Sequence, residues 1–259
     1  MVREGTAEQV AWWIHQSQRV LFFTGAGIST ESGIPDFRTP GGLWEKYPSK
    51  ELTFEKFMES AKYRALHWQF FWEMKKTISS SVPNPAHWAI AELEKRGKLH
   101  GVITQNIDDL HQKTGISLEN LVQLHGDIRR IHCLSCGREF NIEELSFGIE
   151  EFIPPNCQQC NGLLRPGVVF FGETMPPKEI DRAKHRAFTC DLCFSVGSSL
   201  IVYPAAHLPF LARQQGAKLI IVNQQPTHGD EMADAVFHGK AGEIINTIWH
   251  KYKAVTNTA

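Results

Sequence analysis

The sequence predicts an α/β protein: a doubly wound parallel sheet interrupted by a smaller cysteine-bearing insertion and a helical module. Three observations predict it. Five short apolar runs, Arg19–Phe23, Gly101–Thr104, Leu121–Leu124, Leu192–Val196 and Lys218–Val222, are rich in β-forming residues and mostly end on Gly, Asn or His. Helical patterns lie between several of them, the signature of buried parallel strands joined by helices. The first run leads directly into Thr24-Gly25-Ala26-Gly27-Ile28-Ser29, and four cysteines stand in two matched pairs well downstream.

One helix is punctuated at both ends. Asn84 is placed to cap it, Pro85 suits its first position, Trp88, Ile90, Ala91 and Leu93 give an apolar face, and Gly97 stops it. From about Thr39 to Val82 the chain is dense in aromatics, with Trp44, Tyr47, Phe54, Phe57, Tyr63, Trp68, Phe70, Phe71 and Trp72. Their helical spacing predicts small helices covering the ligand edge of the sheet. The expected organisation is a large Rossmann-like domain in three parts, 1–38, 83–127 and 165–259. A loop and helical module fills 39–82, and a ribbon fills 128–164.

The pairs Cys133-x-x-Cys136 and Cys157-x-x-Cys160 are separated by twenty residues and begin eight residues after His125. Two such knuckles suit one tetrahedral Zn²⁺ better than two disulfides or four unrelated thiols. Four thiolates leave the metal no open position, so the ion is expected to be structural. A third pair, Cys190-Asp-Leu-Cys193, lies in an apolar run read as a strand, where alternation would send the two thiols to opposite faces. Plain core packing is expected of them.

At 259 residues the chain can bury a full core, and 42% hydrophobic with 21% charged residues is ordinary for a globular protein. A formal net charge of −1 gives no electrostatic hold on nucleic acid or an anionic membrane. No apolar run is long enough to span a bilayer, and the first residues lack a signal-peptide core. A cytoplasmic protein is expected, with no direct nucleic-acid or membrane partner. The sequence does not set an oligomeric state; a monomer is the default.

Glycines directly after a first strand let the backbone approach a pyrophosphate, although any tight α/β turn looks the same. The next segment, Gly33-Ile-Pro-Asp36-Phe37-Arg38, has the composition of a loop that closes over a ligand. Gln105, Asn106 and Asp108 follow one strand, Gly197, Ser198 and Ser199 another, and Asn223 a third. All fall at carboxyl strand ends, where open α/β sheets bind ligands.

Taken together, Gly25-Ala-Gly-Ile-Ser29, Gly33-Ile-Pro-Asp-Phe-Arg38, Thr104-Gln-Asn-Ile-Asp108, Leu124-His-Gly126, the four cysteines, Val168-Val-Phe-Phe-Gly-Glu173 and Gly197-Ser-Ser199 resemble the sirtuins, NAD-dependent protein deacylases. The resemblance runs over about residues 10–250. It implies a Rossmann-like NAD-binding domain, with Gly25, Ala26, Gly27 and Ser29 at the NAD phosphates. It implies that Asp36, Phe37 and Arg38 form a mobile cofactor loop, and that Gln105, Asn106 and Asp108 orient the ribose and nicotinamide. Gly197, Ser198, Ser199 and Asn223 would contact the adenosine half. His125 would be the catalytic base, with Asn106 beside it.

The implied reaction consumes NAD and yields free lysine, nicotinamide and O-acyl-ADP-ribose. The implied substrate is an acyl-lysine protein or peptide that adds as a strand beside Val169, Phe170, Phe171, Gly172 and Glu173. Sirtuins that remove succinyl or malonyl groups carry Tyr-x-x-Arg in the helical module; an ungapped count places Phe71 and Met74 there. Met offers no partner for a carboxylate, so neutral acyl groups are expected. The segments Thr30–Pro35 and Asn84–Ala89 also resemble sirtuins with lipoamidase or mono-ADP-ribosyltransferase activity, which stand as alternatives.

Overall fold

The computed structural model describes residues 3–36, 43–144 and 156–257. Its main sheet is built from β1 (Val20–Thr24), β2 (Leu99–Thr104) and β3 (Leu121–Gln123), then, after a second sheet, β7 (Leu192–Val196), β8 (Lys218–Asn223) and β9 (Ala235–His238). The intervening antiparallel sheet holds β4 (Gly126–Cys133), β5 (Glu139–Asn141) and β6 (Leu164–Val168). The main sheet runs β3-β2-β1-β7-β8-β9, with every pairing parallel. All five runs named above form strands, and β9 is added to them. The chain winds outward from β1 to β3, returns to lay β7 against the other side of β1, and winds outward again. The carboxyl ends of β1 and β7 therefore flank the topological switch point.

Side-chain alternation along β1 assembles the core on both faces. Phe22 joins Val102, Phe194 and Ile220 against the helices Ala7–Gln16, Pro85–Lys95 and Ala241–Asn257, through Val10, Ile14, Ile90, Leu93, Ile245 and Trp249. Leu21 and Phe23 point the other way, joining Ile103 and Ile221 against the helices Pro177–Thr189 and Leu208–Gln214. Outside β9, the Gly5 N–H reaches the Val236 carbonyl at 3.3 Å and the Val236 N–H reaches the Arg3 carbonyl at 2.9 Å.

The aromatic stretch folds as helices Leu43–Lys46, Phe54–Glu59 and Ala61–Ser80, the last two capped by the hydroxyls of Thr53 and Ser60. The last is longer than the small helices expected, at 20 residues. Phe57, Trp68, Phe71, Met74 and Ile78 pack in one cluster with Ile131, Phe140, Cys157 and Leu164, so module and ribbon share a core.

Two local expectations are corrected. Trp88 is 46% exposed, whereas His87 is fully buried among Ala86, Ile90 and Leu93, because Asn84 takes the N-cap and turns His87 inward. Cys190 is not in a strand: it ends the helix Pro177–Thr189, so β alternation does not apply to the pair. Cys190 and Cys193 both lie buried in one core cluster, on the same side of the sheet.

Candidate active site

At the switch point the backbones after β1 and β7 are in direct contact. The Gly25 N–H bonds the Val196 carbonyl at 3.0 Å and the Gly27 N–H bonds the Gly197 carbonyl at 2.9 Å. A Cβ on Gly25 would lie 2.7 Å from the Gly197 oxygen, and one on Gly27 2.7 Å from the Gly197 Cα. Gly197 has φ +65°, and a Cβ there would strike the Ile28 nitrogen. These glycines let the backbones after β1 and β7 pack directly on one another, forming a glycine cradle at the switch point, where open α/β sheets bind ligands. Ala26 lies in the single 3-10 turn Ala26–Ile28 within this cradle.

Polar side chains from β2 close over the same turn. Asn106 Nδ2 donates to the Gly25 carbonyl at 3.1 Å and to Ser29 Oγ at 3.2 Å. Ser29 Oγ donates to Asp108 Oδ2 at 2.6 Å, and Gln105 Nε2 donates to Ser198 Oγ at 3.0 Å. Asp108 is almost wholly enclosed, and burial raises its pKa against the lowering effects of Ser29 and the Leu110 N–H. His125 follows β3, and its Nδ1 lies 2.9 Å from the Gln105 carbonyl. Packing around the ring lowers its pKa, so the neutral imidazole is the ordinary form. Asn223 ends β8 and donates to the Gln225 carbonyl, while Ser199 follows β7 at the same edge. Asp36 is half-buried just beyond the nucleotide turn; Phe37 and Arg38 lie outside the described residues.

On the His125 side, the Val169 N–H bonds the His125 carbonyl at 2.9 Å and the Phe54 N–H bonds the Phe171 carbonyl at 3.0 Å. Phe171 is 42% exposed, and Gly172 turns the chain at φ +82°. Phe170 is buried in one apolar cluster with Ile34, Phe71, Met74 and Ile128. The Glu173 carboxylate folds back onto the Phe170 N–H and Arg165.

The sulfurs of Cys133, Cys136, Cys157 and Cys160 all lie within 4.8 Å of one another, with Cys133–Cys160 at 3.5 Å and Cys136–Cys157 at 3.9 Å. Ligands at the usual Zn–S length stand about 3.8 Å apart in a tetrahedron, so the four fit one zinc ion. Each knuckle closes with a left-handed residue, Gly137 at φ +71° and Asn161 at φ +56°. The Cys136 N–H points at the Cys133 sulfur, as it would toward a thiolate ligand.

The residue patterns did not reveal two further groups, nor a second role for the capping residue Asn84. Asn84 caps its helix through Oδ1, and its Nδ2 donates to the Ile28 carbonyl at 2.7 Å and to Ser32 Oγ at 3.1 Å. His111 Nε2 meets Thr24 Oγ1 at 3.1 Å, and its ring lies 4.9 Å from that of His87. Arg165 pairs with Glu173. The one available signal was a polar residue inside an otherwise apolar segment, as at His87.

The Sir2 family model matches residues 25–204 of this chain. The NAD-dependent protein deacetylase of Thermodesulfovibrio yellowstonii is 44% identical over 91% of this chain and 91% of its own length. A Sir2 homolog–NAD complex aligns with a TM-score of 0.87 at 37% identity, covering 98% of this chain and 97% of that one. Sir2Tm bound to a propionylated peptide aligns at 0.85 and 32% identity, covering 95% and 98%.

Proposed function

The chain belongs to the Sir2 family, and from that premise we propose that it removes neutral acyl groups from lysine side chains, consuming NAD and releasing free lysine, nicotinamide and O-acyl-ADP-ribose. The relatives named for NAD-dependent deacetylation support the reaction class, and the propionylated-peptide complex of Sir2Tm supports acyl groups beyond acetyl. The observation that carries the reading is the Gln105–His125 contact, which leaves a neutral imidazole with one free nitrogen beside the glycine cradle.

The residues present fit NAD. Gly25, Gly27 and Gly197 seat the turn after β1 against the turn after β7, at the edge where an open α/β sheet takes a nucleotide. Asn106, Ser29 and Asp108 form one bonded chain, and Gln105 bonds Ser198 beside it, where a ribose and a carboxamide would be oriented. NAD supplies an activated ribose carbon with nicotinamide as leaving group. His125 Nε2 would accept the proton of a ribose hydroxyl as that oxygen attacks the acyl carbon. Phe170, Phe71 and Met74 present apolar surface to an acyl chain and keep water from it. The four cysteines would hold zinc away from this chemistry, as structure.

An acetyl-lysine peptide with NAD, assayed for O-acetyl-ADP-ribose, tests the reading. Label from NAD appearing on protein without deacylated peptide would favour ADP-ribosyl transfer instead. Full activity in His125→Ala would overturn the assigned base.

A further inference from the structure

Glu173 and Arg165 share five contacts, three of them to the Glu173 carboxylate, that have no part in the chemistry above. Arg165 Nη1 lies 2.5 Å from Oε1 and Nη2 lies 2.7 Å from Oε2, a two-pronged pair with side chains only 12% and 18% exposed. Oε2 also accepts the Phe170 N–H at 2.7 Å. Arg165 Nη2 donates to the Val168 carbonyl at 2.6 Å, and the guanidinium sits over the Phe170 ring at 4.3 Å. One arginine thus grips both ends of the short segment from Val168 to Glu173.

The two residues belong to different parts of the molecule. Arg165 lies on β6, whose Leu164 pairs with Cys133, the first zinc-ligand position. Glu173 closes the turn after Phe171, in the segment bonded to His125 through Val169 and to the helical module through Phe54. Burying such a pair gains little stability, since desolvation offsets most of its attraction. Its two-pronged geometry does fix direction, because a guanidinium fork matches a carboxylate in one plane.

We infer that the Arg165–Glu173 pair is a positioning device, through which the cysteine ribbon sets the path of Val169–Phe171 against the substrate peptide. The inference rests on the functional reading above, which places an acyl-lysine peptide along this segment. The pair touches neither the glycine cradle nor Gln105, Asn106 and Asp108, so its effect should fall on the peptide and spare NAD.

The test uses the zinc-loaded full chain. Arg165→Lys keeps the charge but loses the fork, and Glu173→Gln keeps the size but loses the charge. For both, peptide KM and calorimetric affinity for an acetyl-lysine peptide are measured beside NAD KM and zinc content. Each variant should weaken peptide binding about tenfold, the loss expected of one charged hydrogen bond. NAD KM should stay within about twofold, because only peptide contacts move. The double variant should be no worse than the weaker single one, since both remove the same contact. Zinc content should match the wild type. Wild-type peptide affinity in both variants would overturn the inference, as would equal losses for peptide and NAD. A wild-type enzyme that binds NAD but no acyl-lysine peptide would instead overturn the functional reading, and this inference with it.

Discussion

The Nδ1 of His125 lies 2.9 Å from the backbone oxygen of Gln105. A carbonyl can only accept, so Nδ1 carries the proton and Nε2 keeps the free lone pair. Burial lowers the pKa of this ring, and the Gln105 carbonyl opposes the shift only in part. The base form therefore persists below the ordinary histidine range. The acid limb of kcat/KM should fall with an apparent pKa below the usual 6.5. His125→Ala should cost about a hundredfold or more and erase that limb. A pH–rate profile bending above the ordinary histidine value would contradict the assignment.

Acid should also unfold the protein. Burial lowers the pKa of His111 to about 4 and that of its neighbour His87 well below the usual value. Both take up a proton more readily when unfolded, so the stability they confer is complete above about pH 6.5 and declines as pH falls. The His111 shift alone corresponds to about 3 kcal/mol once the pH is below its folded value. Urea midpoints should be flat above pH 7 and drop steadily from pH 6.5 toward pH 4. A midpoint that did not change over that range would contradict this account.

Gly33 and Gly197 both have positive φ, at +85° and +65°, but only Gly197 is crowded, by Gly27 and Ile28. Gly33→Ala should cost only the backbone term, about 1 kcal/mol. Gly197→Ala should cost several times more and weaken NAD binding, because the new methyl pushes the two strand ends apart. Thermal melts and NAD titration of the two variants decide whether the close approach, or glycine's freedom alone, matters.

Removing zinc should disturb more than the ribbon. Cys157 and Leu164 share a cluster with Trp68, Phe71 and Met74, and Trp68 is 1% exposed. A chelator, or Cys133→Ser, should lower Tm and shift tryptophan emission to the red as that core loosens. Unchanged emission in metal-free protein would show that the module stands independently of the ribbon.

Under the proposed function, Phe71 and Met74, 2% and 4% exposed, would give the acyl chain an apolar wall, and neither side chain carries a charge to pair a carboxylate. Acetyl, propionyl and butyryl peptides should all be cleaved, with preference graded by at most about 0.8 kcal/mol per methylene. Succinyl and malonyl peptides should be rejected more sharply, because an unpaired carboxylate would be buried. Phe71→Tyr with Met74→Arg should move activity toward succinyl-lysine. Faster removal of succinyl than acetyl by the unaltered enzyme would end this view of the pocket.

Much of this was legible because it depends on local pattern. Runs such as Val20–Phe23 are buried on both faces, so their composition alone marked them as strands, and the Cys-x-x-Cys spacing marked the knuckles. The misplacements have physical causes. Trp88 was assigned inward on apolarity, but the capping by Asn84 rotates the helix to bury His87. Cys190 was given strand geometry when it ends a helix. Where the Glu173 carboxylate points is another matter: only its spatial neighbour Arg165 shows it. A pairing of that kind, eight residues apart and closed by an irregular turn, leaves no periodic trace.

The hydrogen bonds from the Val236 N–H to the Arg3 carbonyl and from the Gly5 N–H to the Val236 carbonyl run along the outer side of β9. A strand there would otherwise offer an open row of N–H and C=O groups, on which a second chain could add itself. The first residues thus act as a guard against sheet-to-sheet association. Gly5 is suited to this closeness, since a Cβ there would lie 2.5 Å from that of Ala235. Trimming Arg3–Gly5 should leave the distant catalytic end intact and make the protein prone to aggregate.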